Sequence, residues 1–121
     1  MEKPHKKLDV WKLAMDLVIE IYGVTAKFPK EERFSLTYQI RRSAVSIPSN
    51  IAEGAARNTK REFVNFLHMA QGSLSELDTQ MELAGRLGYL DKEDHQKLEL
   101  LMERIDRMLS GLIRYQKSPD A

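Results

Sequence analysis

The stretch TKREFVNFLHMAQGSLSELDTQMELAGRLG, residues 59–88, decides the fold class of this chain. A long α-helix with one apolar stripe is predicted here, because apolar residues recur at alternating steps of four and three. These residues are Phe63, Leu67, Ala70, Leu74, Leu77, Met81 and Ala84. Thr59 and Glu62 have the spacing of a capping box at the start of this helix, and Gly88 ends it. Such a stripe packs along a partner helix at a shallow crossing angle.

Three further helices are predicted around this one. The first begins at Asp9 as its N-cap and ends before Pro29, the second runs from about Ser35 to Arg57, and the last begins at Asp91. The connections between the helices are short, which favours antiparallel neighbours. No run of alternating β-branched residues indicates a strand. The sequence therefore predicts an all-α fold, an antiparallel up-down-up-down four-helix bundle.

The same periodicity predicts which residues of the flanking helices face the core. In the first helix they are Val10, Leu13, Leu17, Ile21, Val24 and Phe28. In the second helix they are Leu36, Ile40, Ala44, Ile47, Ile51 and Ala55. In the fourth helix they are Leu98, Leu101, Ile105, Met108, Leu112 and Tyr115. Small residues inside the helices, such as Gly54 and Gly72, indicate close helix–helix approach, because glycine lowers helix stability by about 1 kcal/mol relative to alanine.

Pro48 interrupts the regular pattern of the second helix. It has no N–H group and its ring crowds the carbonyl of Ala44, so we expect a kink or a break near Ser46. The helices form a single domain over residues 8–116, and we expect disordered tails at residues 1–7 and 117–121.

Composition excludes several classes of protein. A chain of 121 residues with 42% hydrophobic content fills one modest core. The absence of cysteine excludes disulfides, thiol catalysis and cysteine-ligated metal sites. No apolar run is long enough to cross a bilayer, so we expect a cytoplasmic protein without a membrane partner.

The formal net charge of +1 is unevenly distributed along the chain. Residues 1–32 are neutral overall, residues 33–61 carry six basic side chains against one acidic, and residues 62–121 carry seven basic against eleven acidic. The segment around the second helix is therefore basic and the C-terminal half is acidic.

A polar row follows one side of the second helix. Its members are Gln39, Arg42, Ser43, Ser46, Asn50, Glu53 and Arg57. Such a row is ordinary on the solvated side of an amphipathic helix. Serine and asparagine are nevertheless poor helix formers, so the row also fits contacts with nucleic acid phosphates and base edges, or hydrogen bonds across a subunit interface. Arg41 projects instead among apolar residues, where we expect an ion pair or carbonyl contacts, or a side chain that extends to water.

Catalytic patterns are sparse. Asp91, His95 and Glu99 share one face of the fourth helix and could hold a metal, but charged neighbours at this spacing are common on surface helices. Arg61 and His68 lie two helical turns apart and resemble the Arg and His motif of small helical ribonucleases related to toxin systems. We expect no metal, no cofactor and no small-molecule substrate.

Four segments together carry a resemblance to a known family. They are LDVWKLAMDL (8–17), KFPKEERFSL (27–36), QIRRSAVSIPSNIAEG (39–54) and KREFVNFLHMAQGSLSELDTQ (60–80). They resemble the bacterial four-helix-bundle proteins encoded within intervening sequences of 23S ribosomal RNA genes. A more distant similarity is to the accessory variability protein of diversity-generating retroelements, a basic pentamer that binds nucleic acid and a reverse transcriptase.

The family resemblance implies a ring-like homo-oligomer, typically a pentamer. The family's motif falls on Arg41, Arg42, Ser46, Pro48, Asn50, Glu53, Gly54 and Glu76. We therefore predict a non-enzymatic homo-oligomeric scaffold that binds RNA or DNA through Arg42, Arg57, Lys60 and Arg61. One alternative is a protein–protein interaction module with the polar row at an interface. The other is a ribonuclease that uses Arg61 and His68.

Overall fold

The computed structural model describes residues 1–119, and nearly all of them lie in four α-helices. These helices are α1 (Asp9–Thr25), α2 (Leu36–Ala55), α3 (Lys60–Arg86) and α4 (Lys92–Lys117). Short 3-10 helices occupy Pro4–Lys7 and Lys30–Glu32. Residues 1–119 contain no strand. The predicted all-α fold is confirmed.

The helices pack as a four-helix bundle in which each has two neighbours. Helix α1 contacts α2 and α4, and α3 also contacts α2 and α4, whereas the diagonal pairs do not approach each other within residues 1–119. Contacts between α2 and α3 are the most extensive of all. The short connections place sequential helices side by side and antiparallel, as the sequence predicts.

The core confirms the predicted apolar stripe of α3 almost completely. Six of its seven residues are buried, while Phe63 is half-buried and Val64 takes its place. The predicted face of α4 is partly wrong. Its buried residues are Leu98, Met102, Ile105, Leu109 and Ile113, and Tyr115 is exposed. Two overlapping sets of positions in α4 satisfy the three-and-four spacing, and packing against the other helices decides between them.

Helix α2 continues through Pro48, so there is no break near Ser46, and the alternative of a kink stays a prediction. Pro48 is buried, and the two polar side chains that follow it hydrogen-bond to backbone carbonyls that precede it. The Ser49 hydroxyl donates to the Val45 carbonyl at 2.8 Å, and the Asn50 amide donates to the Ser46 carbonyl at 2.9 Å. These two side-chain bonds thus span Pro48 within an uninterrupted helix.

The ends of α3 and α4 follow their sequence patterns. The Thr59 hydroxyl accepts a hydrogen bond from the Glu62 N–H at 3.1 Å, and the Asp91 carboxylate accepts one from the Asp94 N–H at 2.8 Å. Gly88 has a φ of 80°, which lets the Tyr89 N–H reach the Ala84 carbonyl at 2.9 Å and close the end of α3.

The start of the chain differs from the prediction. Leu8, not Asp9, occupies the N-cap of α1, because Asp9 already has helical backbone geometry as the first residue of the helix. Residues Pro4–Lys7 of the expected tail form a 3-10 helix that contacts α1 and α2, and the His5 ring packs edge-on against Trp11 at 5.0 Å. At the other end α4 extends to Lys117, and residues 120–121 of the second expected tail lie outside the described residues.

Among residues 1–119, no helix combines the length and the apolar character that crossing a membrane requires.

Candidate nucleic-acid interface

Helices α2 and α3 approach each other closely at Gly54. A Cβ atom at this position would lie 2.7 Å from Phe66 Cβ and 2.9 Å from Phe63 Cδ1, distances that real contacts do not reach. The close approach indicated by the small residues is confirmed at Gly54. At Gly72 a Cβ would meet nothing within 4 Å, so that glycine serves no such contact.

The middle of the polar row faces α3 of the same chain. The hydroxyls of Ser46 and Ser73 share a hydrogen bond at 2.7 Å, and the Asn50 amide donates to Ser46 Oγ at 3.0 Å. Ser43 is buried and donates to Glu76 Oε2 at 3.4 Å. The Ser43 and Ser46 bonds therefore join α2 to α3, while the Asn50 bonds stay within α2. Ser43 is buried and Ser46 and Asn50 are half-buried, so the two ends of the row are its most exposed parts.

Gln39 and Arg42 form the first accessible end. They line a cleft of about 410 Å³ between α2 and α3, and Glu76 and Gln80 also line it. Arg42 is exposed and its guanidinium donates to the Tyr38 hydroxyl at 3.3 Å. The Glu76 carboxylate makes this cleft mixed in charge.

Glu53 and Arg57 form the other end and pair with each other. The Arg57 guanidinium lies 2.9 Å from Glu53 Oε1 and 4.7 Å from the centre of the Phe66 ring. The one positive charge at this end is thus paired within the chain, which weakens Arg57 as a phosphate ligand.

Arg41 joins α2 to α1. Its Nε donates to Thr25 Oγ1 at 2.9 Å, its Nη2 lies 3.5 Å from the Tyr22 carbonyl oxygen, and the guanidinium lies 4.4 Å from the centre of the Tyr22 ring. A carbonyl contact was expected, and no carboxylate within residues 1–119 forms an ion pair with Arg41. The motif position Arg41 therefore has a structural role in this bundle.

Lys60 and Arg61 lie at a second cleft, between the start of α3 and the end of α4. We call it the basic cleft; its volume is about 440 Å³. Its lining residues are Lys60, Arg61, Val64, Asn65, His68, Gln116 and Lys117. No carboxylate is among them, and none of the three cations forms an ion pair with a carboxylate of the described chain. The N-terminus of α3 contributes a partial positive charge here and the C-terminus of α4 a partial negative one, so the positive character of the cleft comes from its side chains.

The four predicted nucleic-acid-binding cations do not form one site. Arg42 precedes the end of α2 at Ala55 by 13 residues, about 20 Å along a helix axis, so it lies far from Lys60 and Arg61. The structure instead adds Lys117 to the basic cleft. Sequence reasoning missed Lys117 because it assigned this residue to the tail, although the antiparallel pairing of α3 and α4 brings their opposite ends together. Arg61 and His68 do share the basic cleft, as the ribonuclease hypothesis requires.

Arginine and tyrosine side chains line a third cleft, between α1 and α2. This arginine–tyrosine cleft measures about 390 Å³. Its lining residues are Tyr22, Arg33, Thr37, Tyr38, Arg41, Arg42 and Val45, again without a carboxylate. Sequence reasoning did not select Tyr22 and Tyr38, and only the packing of α1 beside α2 shows that the arginines and the tyrosines share one surface.

Acidic side chains gather along the same two helices, farther from the ends that form the basic cleft. Asp78, Glu99, Glu103 and Asp106 line a groove of about 410 Å³ between α3 and α4, which we call the acidic groove. It belongs to the C-terminal half whose acidic character the charge distribution indicates.

Four antiparallel helices around one apolar core place this chain in the class of all-α four-helix-bundle proteins. The family model of the 23S rRNA-intervening sequence protein matches residues 6–111, so the chain belongs to that family. The predicted resemblance is confirmed, and the more distant similarity to the retroelement protein stays a prediction.

A solved structure shares the fold. It is the crystal structure of a protein with unknown function from the S23 ribosomal protein family of Bacteroides thetaiotaomicron VPI-5482. The two chains are 24% identical and superpose with a TM-score of 0.80, over 87% of this chain and 95% of the other. A comparison with curated proteins found no significant match.

Proposed function

We propose that this protein is a non-enzymatic, homo-oligomeric helical scaffold that binds RNA or DNA at the basic cleft. The observation that carries the proposal is the grouping of Lys60, Arg61 and Lys117 without any carboxylate. Cations in such a cleft bind phosphates and release counterions, while the Asn65 and Gln116 amides can donate to phosphate or sugar oxygens.

The arginine–tyrosine cleft supplies a second contact in this proposal. Arg33 and Arg42 can bind phosphates there, and the half-exposed rings of Tyr22 and Tyr38 can stack on unpaired bases. Since two separate clefts are basic, a bound strand has to be long enough to reach both. Arg57 contributes less because Glu53 already pairs with it.

Oppositely charged surfaces with exposed apolar residues support the oligomeric part of the proposal. Ile19 and Phe34 are 70% and 86% exposed near the arginine–tyrosine cleft, while Leu83 and Leu100 are 48% and 69% exposed on the helices that form the acidic groove. Because these surfaces are different, contact between them is head-to-tail, and repeated head-to-tail contacts close into a ring when the rotation permits. A monomer by light scattering at micromolar concentration would contradict this part.

Fluorescence anisotropy with labelled single-stranded RNA and double-stranded DNA tests the nucleic-acid part. We expect binding in low salt that weakens as salt rises, and a double variant Lys60→Gln and Arg61→Gln whose salt slope is smaller by about 1.5. The matched control is Lys92→Gln and Arg104→Gln, which removes the same charge from the acidic half. Undetectable binding in low salt, no salt dependence, or an equal loss in the control overturns the proposal.

The ribonuclease hypothesis is the second candidate function. It is favoured by one observation, that Arg61 and His68 line the same cleft. A phosphate bound by Arg61 would lie near an imidazole that can transfer a proton. His68→Ala is then expected to abolish cleavage of labelled RNA, and the absence of cleavage by the unmodified protein would remove this candidate.

The protein–protein interaction module is the other alternative. Ser43, Ser46 and Asn50 already hydrogen-bond within the chain, whereas Gln39 and Arg42 at one end of the row are exposed and, within residues 1–119, make no bond to α3, so a partner could contact them there. If Gln39→Ala dissociates the oligomer while nucleic-acid binding is undetectable, this alternative replaces the scaffold proposal.

A further inference from the structure

Three side chains with metal-binding atoms meet between α3 and α4. They are Glu82 on α3 and His95 and Glu99 on α4, and their ligand atoms all lie within 4.8 Å of one another. Glu82 is exposed, while His95 and Glu99 are half-buried. Glu99 follows His95 by one helical turn, so both side chains extend toward the same place.

The His95 ring is held against the backbone of α3. Gly85 makes this possible, because a Cβ there would lie 3.3 Å from His95 Nδ1 and 3.6 Å from Cε1. The other ring nitrogen, Nε2, is buried and has no hydrogen-bond partner within the described chain. A buried nitrogen without a partner is uncommon in a folded protein and calls for an explanation.

We propose that Glu82, His95 and Glu99 bind a divalent transition-metal ion, with Zn²⁺ as the best match. One imidazole nitrogen and two carboxylate oxygens suit such an ion, and three protein ligands leave a position for water. Where Nε2 is the coordinating nitrogen, the ion also supplies the partner that this atom lacks. Zinc bonds of about 2.0–2.2 Å place tetrahedral ligand atoms about 3.4 Å apart. The ligand atoms here lie within 4.8 Å of one another, so the two glutamate side chains would move closer together around the ion.

This site differs from the metal candidate that the sequence suggests. Asp91 shares a helix face with His95 and Glu99, but its carboxylate caps α4 through the Asp94 N–H. Glu82 supplies the third ligand instead, from the neighbouring helix. A bound ion therefore connects α3 to α4 and stabilises the folded state over the unfolded chain.

Arg86 competes with the ion. Its Nε donates to Glu82 Oε2 at 3.2 Å and so occupies one of the two oxygens of that carboxylate. Removal of this cation frees both oxygens and removes a repulsive charge. The proposed site thus has a variant, Arg86→Gln, that is expected to bind the metal more tightly than the natural chain.

Isothermal titration of the untagged full chain with zinc chloride tests the site, and Co²⁺ absorption spectroscopy reports the ligand geometry. We expect one metal ion per chain and a rise in the melting temperature with zinc. Glu82→Gln, His95→Gln and Glu99→Gln should each weaken binding at least about tenfold, since even outer-shell changes have effects of that size. His68→Gln is the matched control, because His68 is an exposed helical histidine outside the cluster.

Each outcome decides the proposal. Loss of binding in the cluster variants, together with unchanged binding in His68→Gln and tighter binding in Arg86→Gln, supports it. No binding by the natural chain, or binding that survives Glu82→Gln and Glu99→Gln, overturns it. Glu82 is exposed, so Glu82→Gln keeps the test decisive even if His95→Gln fails to fold. The result is independent of nucleic-acid binding, which concerns the opposite end of α3.

Discussion

The Tyr89 hydroxyl donates a hydrogen bond of 3.0 Å to Glu32 Oε2 and so joins the α1–α2 connection to the start of the α3–α4 connection. The Ser35 hydroxyl donates to the other oxygen of the same carboxylate at 2.6 Å. These bonds, that of Ser35 above all, lower the pKa of Glu32, and the Glu32 carboxylate raises the pKa of Tyr89.

This pair predicts a pH-dependent stability difference. The lowered pKa of Glu32 stabilises the fold above the pKa of the unfolded chain, and this contribution is lost as the pH falls through the folded value. The raised pKa of Tyr89 acts in the opposite direction, so its contribution is lost as the pH rises through the folded value. The melting temperature of Tyr89→Phe should therefore be lower than that of the natural protein at pH 7, and the difference between the two melting temperatures should become smaller in acid. Thermal denaturation monitored by circular dichroism measures both, with Tyr115→Phe, an exposed tyrosine, as the control.

Alanine at Gly54 and at Gly72 should have opposite effects on stability. A Cβ at position 54 overlaps Phe66 and Phe63, so Gly54→Ala should lower the free energy of unfolding by about 1–3 kcal/mol. Gly72→Ala meets no atom within 4 Å and should raise it by up to about 1 kcal/mol through helix propensity. Urea denaturation measures both changes. Equal effects of the same sign would contradict the close approach at Gly54.

The variant Thr25→Val should show how much the contact with Arg41 contributes to stability, apart from the packing of the side chain. Valine keeps the shape of the buried side chain but removes the hydroxyl that accepts from Arg41 Nε at 2.9 Å. We expect the free energy of unfolding to fall by about 1–2 kcal/mol. The control is Thr79→Val, whose exposed hydroxyl bonds only to the backbone of its own helix. If both variants lose the same stability, the Arg41 contact adds nothing.

The orientation of α4 can be tested with two leucines. Leu109 is fully buried, whereas Leu112, on the face that periodicity predicts, is half-buried. Leu109→Ala should lower the free energy of unfolding by about 2–5 kcal/mol, and Leu112→Ala by clearly less. Chemical denaturation of the two variants gives the comparison, and the reverse order would restore the predicted face.

Local patterns were sufficient to predict the helices, while contacts between helices were not predictable from them. Thr59, Asp91 and Gly88 act within a few residues of themselves, so their roles follow from the sequence. The partner of Ser46 is Ser73, and the third ligand beside His95 and Glu99 is Glu82, each on another helix. Such pairs depend on how two helices are rotated relative to each other. The periodicity of one segment gives no information about that rotation.

The same limit applies to the basic cleft. The charge distribution identified Lys60 and Arg61 in their segment, but Lys117 is distant in sequence and belongs to a segment that is acidic overall. A count along the chain cannot show that α3 and α4 place their basic ends side by side. The pairing of Glu53 with Arg57 is different, because four residues separate them on one helix face and the sequence alone could have predicted it.

The arrangement of the basic cleft and the acidic groove gives the protein a permanent electric dipole. Both α3 and α4 carry cations at the end with the cleft and carboxylates toward the other end, and their antiparallel packing adds these separations together. With a net charge of only +1, the attraction to a polyanion comes mainly from this dipole and decays steeply with distance. The dipole would therefore orient the basic cleft toward the polyanion only when the two molecules are within about one Debye length, roughly 8 Å at physiological salt. The protein is thus oriented at the last stage of an encounter. The charge pattern controls the rotation of the protein more than its long-range attraction to the polyanion.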